Sequence, residues 1–234
     1  MMSSETAPSP RPVRAPSMLR IVLGLLLNLL LTIAVLGLAW GNVRDFVRDP
    51  LRLACVVLAL VPTFVFAACT SRAGAGVRTL REGRHFILVV NLIAGAMIVI
   101  AVALAGRRML VLPGGEPVRI AGFVVMLLGT VIRAGTMLQL GPRFSLRVAL
   151  QQGHTLETGG FYAVVRHPSY LGVLMILLGF ALVFQSVVAL VATLVFALQL
   201  ARRVRREDRF LEEQFGDEWR ACSRRTKRLV PGLW

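Results

Sequence analysis

Stretches free of Asp, Glu, Lys and Arg alternate along this chain with short arginine-bearing ones. The uncharged stretches are 21–43, 53–71, 85–106 and 167–201, and 120–142 is interrupted only by Arg133. About 20 apolar residues in a helix cross a hydrocarbon core of about 30 Å, so each stretch predicts a membrane span. The last is too long for one perpendicular crossing, because about 35 residues rising about 1.5 Å each reach roughly 50 Å. It is expected to fold back as a hairpin of 170–184 and 187–205, with Gly179, Gln185 and Ser186 as breakers; one strongly tilted helix is the alternative. The fold class that follows is all-α: a polytopic integral membrane helical bundle of five to six spans, the last two forming a hairpin.

Composition agrees, since 56% hydrophobic residues and a mean hydropathy of +0.71 exceed what one soluble core of 234 residues needs. Basic residues then orient the bundle, because Lys and Arg gather on the cytoplasmic side of short loops. Arg11, Arg14 and Arg20 precede the first span, Arg72, Arg78, Arg81 and Arg84 fill the second connection, and Arg143, Arg147 and Arg166 the fourth. Ten more basic residues follow position 200, whereas the first and third connections hold only Arg44, Arg48 and Arg52, and Arg107, Arg108 and Arg119. With the hairpin in place, both termini face the cytoplasm, and this agreement supports the hairpin independently. The net charge of +15 is spread over membrane-flanking loops without a nucleic-acid-binding module, so anionic membrane lipid, not nucleic acid, is the expected partner. Lys227 is the one lysine among 27 basic residues, a bias that points to a GC-rich bacterial genome and hence a bacterial plasma (inner) membrane.

Residues 1–17, rich in Pro and Ser, read as a disordered N-terminal lead. The span after it is too long for the apolar core of a signal peptide. N-terminal transmembrane helices over 18–117 and a core with a cytoplasmic tail over 118–234 complete the expected organisation. Cys55, Cys69 and Cys222 are isolated and share no ligand spacing with His85, His154 and His167, so no metal is expected. Nucleotide-binding glycine motifs and a nucleophile elbow are absent from the sequence. Chemistry must come from polar residues at the membrane surface, and these fall in three places.

The first is Arg133, which either pairs or lines a polar cavity, or else packs and snorkels. The second is "HTLETGGFYAVVRHPSYLG", residues 154–172. Pro168 holds His167 extended and suits the first helical position, so a helix starts here. Its free N–H groups favour an anion, with Arg166 and His167 as further donors. The bland alternative is membrane-interface punctuation, with Arg166 at the headgroups and Tyr170 in the aromatic belt. The third is the tail after Ala201, which holds six of the twelve acids between Glu207 and Glu218. Arg203 and Glu207, and Phe215 and Trp219, stand four residues apart, and Leu211 lies on the apolar side. That describes a cytoplasmic amphipathic C-terminal helix, or simply a solvated, salt-bridged one.

Together these segments resemble the isoprenylcysteine carboxyl methyltransferase family of integral membrane methyltransferases, related more distantly to phospholipid N-methyltransferases. The resemblance covers roughly residues 122–232. It runs through "GTVIRAGTMLQLG" (Gly129, Arg133, Met137, Gly141), Phe144 and Ser145, the 154–172 stretch, the acids Glu207 and Asp208, Leu211, Phe215 and Gly216, and "RLVP" at 228–231.

The resemblance implies S-adenosylmethionine as cofactor, held without a Rossmann domain. His167 and the helix start would meet its carboxylate with Arg166 beside them, Glu207 and Asp208 its ammonium or ribose, and Tyr170 and Tyr162 its adenine or methionine part. Gly172 would let backbone come close, and His154 would touch cofactor or tie down the loop. Arg133 and Arg203 would orient a lipophilic methyl acceptor entering from the bilayer, an isoprenoid or lipid-linked carboxylate, for O-methylation. Two departures stand out: Asp208 replaces the usual Glu, and "ETGGFY" puts Glu157 where small apolar residues are usual. A lipid amine N-methyltransferase is the enzymatic alternative, and a non-catalytic membrane scaffold or transporter the alternative of another class.

Overall fold

The computed structural model describes residues 18–70, 84–141, 144 and 156–230. The expected lead over 1–17, His154 and most of the arginine-rich second connection lie outside these residues. The described helices are α1 (Met18–Trp40), α2 (Val43–Val47), α3 (Pro50–Thr70), α4 (Arg84–Gly106), α5 (Gly115–Leu140), α6 (Pro168–Val183), α7 (Val187–Phe215) and α8 (Asp217–Arg225), with a 3-10 turn at Gly160–Ala163. α1, α5 and α7 are long and apolar enough to cross a membrane, and shorter apolar helices occupy 50–66, 95–106 and Pro168–Val183. The architecture is the expected polytopic helical membrane bundle, with leucines of α1 such as Leu27, Leu30 and Leu31 exposed to the outside.

The long last run does fold back. α6 ends at Val183 with Phe184 as its cap, Gln185 adopts a left-handed φ of 47°, and Ser186 caps α7 by accepting from the Ala189 N–H at 3.2 Å. The Ser186 hydroxyl also donates to the Ala101 carbonyl, tying the turn to α4. Gly179, expected as a breaker, instead sits inside α6. It belongs to a set of interlocking glycine positions, Gly122 and Gly129 on α5 against Gly172 and Gly179 on α6. A Cβ at Gly179 would stand 2.5 Å from the Gly122 carbonyl oxygen, and one at Gly172 would stand 2.8 Å from that of Gly129. Lipid tails are as apolar as leucine, so close backbone approach supplies the packing energy in such a helix pair. About seven residues make two turns of helix, which keeps both glycines of each helix on the shared face.

One end of the bundle is closed by the short helix α2, which the sequence pattern does not predict. Asn42 caps it by accepting from the Arg44 N–H at 2.9 Å. Phe46 is fully buried and stacks on Phe184, which in turn meets Phe180 and the edge of Trp40. Asp49 beside it pairs with Arg52 at 3.3 Å and with Arg119 of α5. At the other end α7 runs on to Phe215, ten residues past the expected limit of the hairpin arm. Gly216, at φ 50°, breaks the chain direction there. Phe215 and Trp219, read as one helical face, therefore lie on separate helices, and Trp219 is buried.

Candidate active site

α6 has 16 residues, a rise of about 24 Å at about 1.5 Å each, shorter than a hydrocarbon core. The residues at its start, His167 and Ser169, are buried. Pro168 occupies the first helical position and His167 the cap, with no side chain capping the free N–H groups. Arg133 lies seven residues before the end of α5, about two helical turns deep, and reaches this start. Its Nη1 donates to the Ser169 carbonyl at 3.2 Å and to the Ser169 hydroxyl, and its guanidinium lies 5.5 Å over the Phe144 ring. The intramembrane arginine is therefore paired through hydrogen bonds to a helix start, not through a carboxylate.

Tyr170, at the start of α6, links two residues of α7. Its hydroxyl donates to Glu207 Oε2 at 2.7 Å and accepts from Arg203 Nε at 2.8 Å. The Arg203 guanidinium also stands 5.6 Å over the Tyr170 ring. Arg133, Arg203, Tyr170 and Glu207 are thereby gathered where α5, α6 and α7 meet. Tyr162, on the 3-10 turn, joins them. Burial, then the nearby Glu207 and Glu157 carboxylates, push its phenol above the ordinary range, so it stays protonated.

Asp208 and its partners form a second layer. Its Oδ1 meets His167 Nε2 at 2.7 Å, its Oδ2 accepts from Arg228 Nε at 2.6 Å, and Arg166 Nη2 lies 3.7 Å away. His167 is 5% exposed and stacks on Tyr170 with ring centres 5.7 Å apart. Arg166 turns toward the tail: its Nη1 donates to the carbonyls of Ser223 and Thr226, and its guanidinium faces Trp219. Backbone bonds from Arg166 N to Lys227 O at 2.8 Å and from His167 N to Arg228 O at 3.0 Å complete a strap. The tail is thus stitched to the chain just before α6.

Of the sequence-predicted residues, Arg133, Arg203, Tyr162, Tyr170 and Glu207 come together in one cluster. His167, Arg166 and Asp208 lie behind it, occupied with one another and with the tail. Gly172 meets α5, where a Cβ would collide with the Gly129 oxygen and with Arg133, so the backbone it admits is that of a neighbouring helix. Gln139 carries no signal in the sequence, yet it shapes the site. From the last turn of α5 its Nε2 donates to the Gly159 carbonyl at 2.9 Å and to Glu157 Oε1 at 3.3 Å, and its Oε1 accepts from the Phe161 N–H at 3.3 Å. That clamp fixes the loop carrying Tyr162. Arg228 stands out in the sequence only as part of a motif, although an arginine after a run of acids is a signal for such pairing.

A membrane bundle with a cluster of arginines, tyrosines and an acid is the class these observations define. Residues 121–213 match the isoprenylcysteine carboxyl methyltransferase (ICMT) family. Among curated proteins, the protein-S-isoprenylcysteine O-methyltransferase of Schizosaccharomyces pombe is 34% identical over 110 residues, 44% of this chain and 45% of that one. The probable enzyme of the same name from Oryza sativa subsp. japonica is 30% identical over 113 residues, 47% of this chain and 59% of that one. The cobalt-zinc-cadmium resistance protein CzcN of Cupriavidus metallidurans is 37% identical over 90 residues, 38% of this chain and 41% of that one. The matches span about half the length of these relatives. A solved structure of the eukaryotic intramembrane Ras methyltransferase ICMT aligns over 93% of this chain and 88% of that one, with 17% identity and a TM-score of 0.46.

Proposed function

We propose that the protein is an S-adenosylmethionine-dependent methyltransferase acting on a lipophilic carboxylate, an isoprenoid or lipid-linked acid drawn from the bilayer. The observation that carries the reading is the cluster at the start of α6, on the segment that matches the family. Its groups fit the cofactor. Glu207 uses one oxygen for Tyr170 and has a second for an ammonium, the rings of Tyr162 and Tyr170 offer faces beside it, and at the α6 start the Ser169 N–H is left for a carboxylate, since Pro168 has none and Tyr170 N and Leu171 N bond to the His167 carbonyl. When bound, S-adenosylmethionine supplies an electrophilic methyl on a sulfonium.

The chain's own residues then have distinct tasks. Arg133 keeps nitrogens beyond the Nη1 engaged with Ser169, and together with Arg203 it orients the acceptor carboxylate by charge-assisted hydrogen bonds. A carboxylate is already ionised near neutrality, so no base is needed; orientation and removal of water are. His167, Arg166 and Asp208 act one layer back, holding α6 and the tail in register. Paired arginines favour a carboxylate over a neutral amine acceptor. The test is calorimetric titration of S-adenosylmethionine into the detergent-purified protein, beside transfer of labelled methyl to prenylated and lipid carboxylates. Saturable binding with incorporation supports the assignment; a folded protein that binds no cofactor sinks it.

A further inference from the structure

The opposite end of the bundle carries a cleft of about 590 Å³ that the methyltransferase reading does not use. It lies where α1, α3, α4 and α5 reach the membrane surface away from His167, and α2 forms part of its wall. Four arginines line it (Arg48, Arg52, Arg108 and Arg119) against the acids Asp45, Asp49 and Glu116, leaving one positive charge in excess. Two of the arginines are structural. Arg52 is held by Asp49 and the Asp45 carbonyl and lies 3.8 Å over the Trp40 ring. Arg119 is held by Asp49, Glu116 and the Val183 carbonyl.

The other two are not. Arg48 has only a loose contact of 3.8 Å with exposed Asp45. The Arg108 side chain makes no hydrogen bond or ion pair among the described residues, and its backbone sits at a φ of 55° that an arginine seldom adopts. Met109, Leu110 and Val111, directly after it, are exposed apolar residues. A charged rim beside an apolar step matches a molecule with an anionic head and hydrocarbon tails.

We propose that this cleft binds the phosphodiester headgroup of a phospholipid in the leaflet away from the candidate active site, with Arg48 and Arg108 holding the phosphate and Met109 and Leu110 meeting the acyl chains. The Trp40–Arg52 stack is the rigid floor against which the headgroup rests. Inorganic phosphate shares the polar chemistry but not the tails, which separates the two sources.

The experiment follows thermal unfolding and lipid retention by native mass spectrometry in detergent with phosphatidylglycerol, the matching diacylglycerol, or inorganic phosphate. Phosphatidylglycerol is expected to raise the melting temperature and remain bound, and diacylglycerol is not. Arg48→Gln combined with Arg108→Gln removes two charges near a membrane surface and weakens lipid binding about thirtyfold. Both side chains are exposed, so the lipid-free melting temperature stays unchanged, and the double lysine variant recovers part of the affinity. Equal effects of diacylglycerol and phosphatidylglycerol, no lipid effect at all, or full lipid binding by the double glutamine variant each overturn the proposal. Inorganic phosphate reproducing the whole shift overturns the lipid assignment.

Discussion

Replacing Asp208 by Asn tests whether this acid serves the fold or the cofactor. Asp208 is 7% exposed and holds His167 at 2.7 Å, Arg228 at 2.6 Å and Arg166 at 3.7 Å. The amide keeps the shape and one acceptor oxygen but loses the negative charge, leaving cationic partners in a buried setting. Breaking one partner of a buried pair costs about 3–5 kcal/mol, and the isosteric change belongs near the lower value. At about 2–4 °C per kcal/mol for chains of this size, the melting temperature falls by roughly 6–12 °C. The strap that joins residues 227 and 228 to 166 and 167 loosens with it, so limited proteolysis releases the tail. Differential scanning fluorimetry in detergent, run beside cofactor titration at a temperature where the variant remains folded, separates the two roles. An unchanged melting temperature with cofactor affinity abolished refutes the structural assignment and restores Asp208 as a direct ligand.

Further expectations concern the first layer and the helix pair. Glu207→Gln weakens S-adenosylmethionine binding at least about tenfold by calorimetry, as the loss of one charge-assisted contact requires, and leaves the melting temperature within a few degrees. Arg133→Ala changes cofactor affinity little and lowers turnover by about a hundredfold, the cost of a misplaced acceptor; equal loss of cofactor binding in the two variants removes this division. Gly179→Ala puts a Cβ 2.5 Å from the Gly122 oxygen and 2.6 Å from the Met126 nitrogen, which forces α5 and α6 apart for about 1–3 kcal/mol and lowers the melting temperature. Gln139→Ala removes three hydrogen bonds, worth about 1 kcal/mol each at most. It exposes the 156–164 loop to protease and raises the Michaelis constant more than it alters stability.

The spans were legible because an uncharged run of bilayer length is rare in a chain that folds in water. The hairpin was legible because charge alternation required an even return. Which residue made the turn was harder to read. Gly179 and Gln185 both look like breakers in a one-dimensional pattern, yet a glycine in an apolar helix also serves close packing, and only the partner glycines on α5 decide between the two. α2 escaped notice for the opposite reason: five residues carry no detectable periodicity, and its anchor Phe46 finds its partner Phe184 far along the chain. Among the site residues, Arg133, Tyr170 and Glu207 announced themselves as polar groups in or beside apolar segments. Gln139 did not, because an amide in the last turn of a helix is ordinary until the loop it clamps is seen.

Glu207 and Asp208 are adjacent in sequence yet meet different partners. Successive residues on a helix point about 100° apart, so the two neighbouring acids on α7 reach different groups. Glu207 turns to Tyr170 and Arg203; Asp208 turns to His167, Arg166 and Arg228. The two faces are nevertheless coupled, because His167 stacks on the same Tyr170 whose hydroxyl meets Glu207. Any displacement of the tail moves Arg228, then Asp208 and His167, and so reaches the tyrosine of the first layer. In this arrangement the C-terminal strap reaches, through His167, an aromatic ring at the start of α6. Truncation before Arg228 should therefore impair cofactor binding without removing any residue proposed to touch the cofactor, and restoring 228–230 should recover it.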